Sequence, residues 1–586
     1  MTAVIEAGGV TFAVRAPAAA ALWLCLFDGE VENRVAMVRD GDGWRVHVAG
    51  VDEGARYGFR AEGDAPFDVA KLLVDPHATE LDRAFAYDPR LAEYGADTAA
   101  LVPKAIVRAP LPPLDLPPLT RAGGLIYEIN VRGFTMLHPD VPAAQRGTVA
   151  ALAHPAVIAH LRKIGVDTVE LMPITAWIDE RHLPPLGLRN AWGYNPVVPM
   201  ALDPRLVPGG LRELRETVAA LRVAGIGTVL DLVFNHTGES DLLGPTLSLR
   251  GLDDSAYARA ADGTLINDTG TGNTLDFSRA WVRALVCDSL RHFVAQAGVD
   301  GFRFDLATVM ARGPGFAADA PIFAEFAADP LLRDRVMIAE PWDTGPGGYQ
   351  LGAFPDGWWE WNDRYRDDVR RFWRGDGGMG ALATRLSGSS DVFGAERTRG
   401  VSFVAAHDGF SLADLVAHAE RHNHANGEDN RDGHGGEIAW NNGVEGASDD
   451  PAVLARRAAD VRALLATLFA TRGTIMLTAG DEFGRTQRGN NNAYAQDNAT
   501  TWLDWVGRDV ALEDVVAELA ARRRALPALR DPALRHDAHW YRPDGAPMRD
   551  SDWDGADDVE LRLPEFTVRV DRAARRVEVR AVPLSR

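Results

Sequence analysis

Apolar and polar positions change rhythm twice along the chain. Up to about residue 105 they alternate: Val10–Val14, Ala21–Phe27, Trp44–Val48 and Arg56–Arg60 each turn every second side chain to one face. That is the period of a half-buried strand. Turn chemistry separates them, as at Asp28-Gly29 and Asp40-Gly41-Asp42-Gly43, and short strands at this spacing predict an N-terminal β-sandwich over residues 1–108. The segment Phe67–Pro76 leads out of it. Trp23, Trp44 and Tyr57 could form a stacking face, but such aromatics more often belong to a core. Residues 109–119, Ala-Pro-Leu-Pro-Pro-Leu-Asp-Leu-Pro-Pro-Leu, predict a stiff, extended linker over 109–120.

From residue 121 the pattern becomes apolar run, loop and amphipathic helix, repeated. The runs predict strands at Leu125–Val131, Asp167–Leu171, Gly227–Phe234, Val299–Asp305, Val336–Ala339, Val401–Ala406 and Thr474–Thr478, with Trp358–Trp361 the weakest. Helical periodicity marks Ala156–Lys163, Leu211–Ala224, Trp281–Ala297 and Ala459–Thr471. Strands apolar along their whole length are buried on both faces, which calls for a parallel sheet. Eight such units predict a multidomain chain with a central (β/α)8 TIM barrel over 121–530. Ala511–Leu526 is a last amphipathic helix. Alternation returns at Val559–Leu563, Phe566–Val570 and Val577–Val582, predicting a short C-terminal β domain over 531–586.

Composition narrows the classes. The net charge of −21 argues against nucleic acid as a partner. No apolar run approaches the roughly 20 residues of a membrane span. The two cysteines, Cys25 and Cys287, are too few for a disulfide framework and lack metal-site spacing. The first residues have neither a basic start nor a long apolar run, so a cytoplasmic setting is expected.

A parallel barrel gathers the C-terminal ends of its strands on one rim. Those ends carry Asp231 to His236, Arg303 with Asp305, Glu340, and His407 with Asp408. Arg303 and Asp305 are two residues apart, so on a strand they point the same way. A neighbouring cation keeps a carboxylate ionised, as a nucleophile requires; a structural Arg–Asp pair is the alternative. Glycoside hydrolysis needs two carboxylates in unlike environments. Asp305 is the better anion. Glu340, among Ala339, Pro341 and Trp342, is the better acid. Carboxylates with histidines also suit a metal, but an arginine within the cluster does not. No metal and no cofactor are expected. Calcium stays open, since no loop gives a clear run of its ligands.

Four segments, Asp231-Leu-Val-Phe-Asn235-His236, Gly301-Phe-Arg303-Phe-Asp305, Ala339-Glu340-Pro341-Trp342 and Val404-Ala-Ala-His407-Asp408, resemble in order the signature regions of the α-amylase family of glycoside hydrolases. The resemblance implies a retaining mechanism with Asp305 as nucleophile, Glu340 as acid and then base, and Asp408 holding sugar hydroxyls. It further implies that His236, Arg303, His407 and Trp342 bind the sugar, that Asp231 and Asn235 support the rim, and that Tyr194 stacks on the sugar's apolar face.

Arg421–Gly433, Trp440–Gly446 and Gly480–Asn498, with Lys71–Pro76 in the first module, resemble the isoamylase and bacterial glycogen-debranching group. That implies hydrolysis of α-1,6 branches in glycogen, amylopectin or limit dextrins. A trehalose-releasing hydrolase or a branching transglycosylase is the neighbouring reading. A non-catalytic glucan-binding protein is a third, which the presence of all three carboxylates opposes. The resemblance tilts Asn490–Asn492 toward contact with substrate. Trp358–Trp361 reads equally as core or as a sugar platform, and Glu428 and Asp429 read as solvated loop charges. The tail after Trp553 is shorter than the group's C-terminal domain.

Overall fold

The computed structural model describes residues 3–64 and 67–582; residues 1, 2 and 583–586, at the ends of the expected first and last modules, lie outside them. The alternating stretches at the start form two four-stranded sheets. One joins Ala3–Glu6, Gly9–Arg15, Gly43–Ala49 and Val38–Asp40. The other joins Val31–Ala36, Ala21–Asp28, Arg56–Glu62 and Ala105–Ile106. Their inward residues Phe12, Leu24, Tyr57 and Phe59 are buried together. Trp44 and Tyr57 belong to this core, not to an exposed stacking face.

The same core continues into Ile178, Val198 and Leu247 of the neighbouring loops, so apolar contact fuses the sandwich to the barrel. Leu73 and Val74 make the join. Leu73 pairs with Phe59 through two backbone hydrogen bonds of 2.8 Å, and Val74 N–H donates to Leu247 at 2.7 Å. The buried Lys71 ammonium donates to the Arg90 carbonyl at 2.7 Å, which satisfies a charge that burial would otherwise penalise. The Pro-rich strap lies extended along the barrel's outer helices: Leu114 N–H donates to Ala295 at 2.7 Å, and Arg335 to the Leu116 carbonyl at 2.8 Å.

Eight parallel strands close the barrel, as the apolar runs predict. In order they are Leu125–Ile129, Thr168–Leu171, Gly227–Leu232, Gly301–Phe304, Val336–Ala339, Trp358–Asn362, Gly400–Ser402 and Thr474–Thr478. Several stop earlier than expected. After Ile129 the Asn130 side chain accepts from Gly133 N–H and caps a short helix, Val131–Thr135, a capping role that Asn favours. The seventh strand ends at Ser402, and Phe403–Ala406 run on to the rim outside the ladder. Trp358–Asn362, the weakest candidate, is a full member. Its Trp358 and Trp361 are buried, which removes them as an exposed sugar platform.

The C-terminal sheet has four antiparallel strands, His539–Tyr541, Asp558–Arg562, Phe566–Asp571 and Arg576–Ala581. The alternating residues Val559, Leu561, Val568 and Val570 are buried in the same core as the barrel helices. Arg575 forms an ion pair with Asp460 at 3.0 Å, and Arg572 lies 4.0 Å over Phe372. Among the described residues no helix is long and apolar enough to cross a membrane.

Candidate active site

Parallel register brings the charged residues together. Asp231 on the third strand is level with Arg303 on the fourth, so both side chains point into the barrel mouth. Arg303 Nη1 donates to Asp231 at 3.0 and 3.1 Å and to Asp305 Oδ1 at 3.1 Å, and its Nη2 lies 3.1 Å from Glu340 Oε2. The guanidinium rests 4.3 Å over the Trp361 ring, which offers it an aromatic face where water is excluded.

Asp305 stands one residue past the fourth strand. Its Oδ1 is held by Arg303 and its Oδ2 by the Asn235 amide at 2.8 Å; the same amide donates to the Asp305 carbonyl, also at 2.8 Å. The following residue, Leu306, has a φ of 41°, a left-handed conformation rarely adopted by a branched side chain. This sharp turn aims the Leu306 N–H at Glu340 Oε2, 2.8 Å away.

Glu340, at the end of the fifth strand, is buried beside Arg303, whose Nη2 lies 3.1 Å away. Burial raises its pKa to about 7; the Asp305 charge adds to the rise, while Arg303 and the Leu306 N–H oppose it. Asp231 is lifted to about 6, again by burial first. Burial pushes His236 down to about 4, and its Nε2 bonds to the Tyr194 carbonyl at 3.0 Å.

Asp408 differs from both other carboxylates. Its side chain is 43% exposed, and His434 bonds to it at 3.0 Å. Desolvation acts to raise its pKa, and the His434 bond with the charges of His434 and His407 outweighs it and holds the group below the ordinary value. His407 Nδ1 bonds to Glu128 Oε1 at 2.6 Å, and its ring stacks on Tyr194 at 4.9 Å and 21°. The Tyr194 hydroxyl donates to Asp231.

The structure thus brings Asp305, Glu340, Asp408, Tyr194, Asp231, Asn235, His236, Arg303 and His407 to one rim. It also corrects part of their expected division. Arg303 and Asn235 are both 0% exposed and Asp231 is 1%. All three form the floor beneath Asp305, and Arg303 offers no surface for the sugar contact that the resemblance implies. Trp342 is half-buried against the cluster of Trp361 and Phe403.

Asn490 and Asn491 are buried, not facing substrate. The Asn491 amide donates to the His434 carbonyl and to Glu437, both at 2.9 Å, and Asn490 donates to Asn426 at 3.0 Å. They fasten the 421–446 loop over the rim. Glu428 is not a free loop charge, since the Tyr494 hydroxyl donates to it at 2.6 Å; Asp429 is exposed as expected. A cavity of about 480 Å³ extends from Tyr194 along Trp192, Glu428, Asp432 and Tyr494. It does not include the three carboxylates, so it continues the cleft beyond them.

Sequence reasoning missed Glu128 and His434, and it read Trp361 as core or sugar platform without its place under the Arg303 guanidinium. A carboxylate inside an otherwise apolar strand, Leu-Ile-Tyr-Glu128-Ile, is the signal that finds the first. Nothing in the pattern marks His434.

The architecture matches solved glycoside hydrolases. The pullulanase from Bacillus acidopullulyticus superposes with a TM-score of 0.73 at 20% identity, over 97% of this chain and 68% of that one. The Anoxybacillus sp. LM18-11 pullulanase complexed with maltotetraose gives 0.72 at 22% identity, over 98% and 81%. Residues 2–78 match carbohydrate-binding module 48, the isoamylase N-terminal domain. Sandwich and barrel share the fold of these pullulanases, and with the curated relatives that follow they define an α-amylase-type glycoside hydrolase. The glycogen debranching enzyme of Yersinia enterocolitica is 44% identical over 96% of this chain and 90% of its own length. That of Serratia proteamaculans is 45% identical over 92% and 85%. The chain belongs to the bacterial glycogen debranching enzyme family.

Proposed function

We propose that the chain hydrolyses α-1,6 branch linkages of glycogen, amylopectin or limit dextrins by a retaining double displacement. One observation carries the assignment of roles. A single buried cation, Arg303, stands between a carboxylate fixed at both oxygens, Asp305, and a buried carboxyl raised to about 7, Glu340. Unlike environments of this kind separate nucleophile from acid.

Asp305 attacks the anomeric carbon while Glu340 protonates the departing glycosidic oxygen, leaving a glycosyl-enzyme and a freed chain. Glu340, now ionised, takes a proton from water, whose oxygen displaces Asp305. Asp408, open to the cleft, accepts from sugar hydroxyls, and the Tyr194 and His407 rings lie against the same sugar. No step in this reading uses calcium or another cofactor. A cytoplasmic setting belongs to the same reading, and the two unpaired, buried cysteines suit a reducing compartment.

The test is digestion of a branched glucan and of a linear maltooligosaccharide, followed by chain-length analysis. Linear chains released from the first, with the second untouched, are the expected result. Cleavage of the linear substrate, or newly made branches, would overturn the assignment.

A further inference from the structure

His418, His422 and Glu445 meet at the base of the 421–446 loop and take no part in the chemistry above. Glu445 Oε1 lies 2.8 Å from His422 Nε2 and 3.5 Å from His418 Nδ1, and the three ligand atoms all fall within 4.8 Å of one another. The other oxygen, Oε2, is occupied by the Ala419 N–H at 2.9 Å and the Asn441 amide at 3.0 Å. Oε1 therefore faces the imidazoles, with only a long contact of 3.4 Å from the Glu420 N–H.

His418 is 8% exposed, and its Nδ1 is buried without a hydrogen bond. Its Nε2 faces the Asp414 carboxylate at 3.8 Å and its Nδ1 faces Glu445 Oε1 at 3.5 Å. Carboxylate–histidine pairs orient metal-binding imidazoles in this way. The 3.5 Å between Nδ1 and Oε1 is close to the separation of two ligands on one tetrahedral zinc. Arg457, which feels the Glu445 charge, is engaged by the carbonyls of Gly446 at 2.7 Å and Asn441 at 3.1 Å.

Gly489 roofs the group: a Cβ there would come within 2.6 Å of His418 Nδ1 and 2.8 Å of His422 Cδ2.

We propose that His418, His422 and Glu445 hold a zinc ion, with water as its fourth ligand, and that this ion pins together the two ends of the loop over the active site. Two imidazoles and one carboxylate suit zinc, whereas calcium and magnesium take oxygen sets. Zinc–ligand bonds of about 2.0–2.2 Å set ligand edges near about 3.3 Å. The His422–Glu445 edge must therefore open a little and the His418–Glu445 edge hardly at all. The side chains of His422 and Glu445 are 40% and 36% exposed, so water reaches the open position. The competing arrangement is a metal-free His422–Glu445 hydrogen bond with His418 beside it.

The experiment strips the full chain with a chelator and titrates it with zinc chloride against a chromophoric competitor. One equivalent per chain is expected, with affinity lowered about tenfold or more in His418→Gln and Glu445→Gln. Zinc should also slow proteolysis within 421–446 in the wild type and in neither variant. Uptake no greater in the wild type than in the variants overturns the site, as does one equivalent that both variants retain. If His418→Gln fails to fold, Glu445→Gln, with its partly exposed side chain, decides the matter alone.

Discussion

Replacing Glu340 with Gln should inactivate the enzyme and, above neutral pH, stabilise it. Glutamine keeps a carbonyl for the Leu306 N–H, now 2.8 Å from the carboxylate, but has no proton to give. Loss of a general acid costs about 10²–10⁴ in rate, or about 3–5.5 kcal/mol of barrier. The stability effect has the opposite sign. The folded pKa is about 7 against an ordinary 4.5, so folding holds the proton that the unfolded chain gives up. Below 4.5 both states are protonated and nothing is lost. Between 4.5 and 7 stability falls as pH rises, and above 7 the loss is complete. At about 1.36 kcal/mol per pH unit it comes to about 3 kcal/mol, and the side chain is only 11% exposed, so solvent screens little of it. The glutamine variant escapes that loss. The assay follows reducing ends released from a branched limit dextrin between about pH 5 and 9, with thermal midpoints of both proteins at each pH. Wild-type activity should fall above about pH 7, and the midpoint difference should grow in favour of the variant over the same range. A variant that keeps more than about a tenth of the activity, or gains no stability by about pH 8, refutes the reasoning.

Three further outcomes follow from the contacts around the rim. His434→Gln removes the bond that holds Asp408 below its ordinary value, so the acid limb of kcat/KM should move to higher pH, and an unmoved limb counts against it. Glu128→Gln breaks a buried pair with His407 and should cost about 3–5 kcal/mol, read as a lowered thermal midpoint at neutral pH. Asn491→Ala removes hydrogen bonds to His434 and Glu437 and one accepted from Asn423, about 1 kcal/mol each. Its expected sign is faster proteolysis within 421–446, and an unchanged rate there would show that the loop is held by other means.

What could be read from the sequence divides along a physical line. Strands such as Gly227–Leu232 and Thr474–Thr478 are buried throughout, and burial on both faces writes a continuous apolar run. Trp358–Asn362 is faint because Glu360 interrupts it, and that buried charge is met by Arg399 at 2.8 Å and by the Gly352 N–H at 2.6 Å. Arg399 lies 39 residues away, beyond any local pattern. The three carboxylates are legible because each sits in a short segment at a strand end. Their supports are not. Trp361 reads as core whether or not a guanidinium rests on it, and His434 belongs to a glycine-rich loop with no period. Asn490 and Asn491 show the reverse error. Polar residues in a row suggest a surface, yet a loop that crosses a rim must satisfy its backbone inward, and these amides do so.

The division of labour between Asp305 and Glu340 rests on the number of donors around each. Both touch the same guanidinium at 3.1 Å, so the cation alone cannot distinguish them. Asp305 has in addition the Asn235 amide on its second oxygen. Glu340 receives one backbone N–H, on the oxygen that already faces Arg303. The imbalance comes from the backbone. The left-handed turn at Leu306 directs its N–H at Glu340, while Asn235, next to His236 beyond the third strand, reaches across to Asp305. Moving a donor from one carboxylate to the other would therefore exchange their characters without changing either residue, and the length of the 231–236 segment is part of the catalytic assignment as much as the carboxylates themselves.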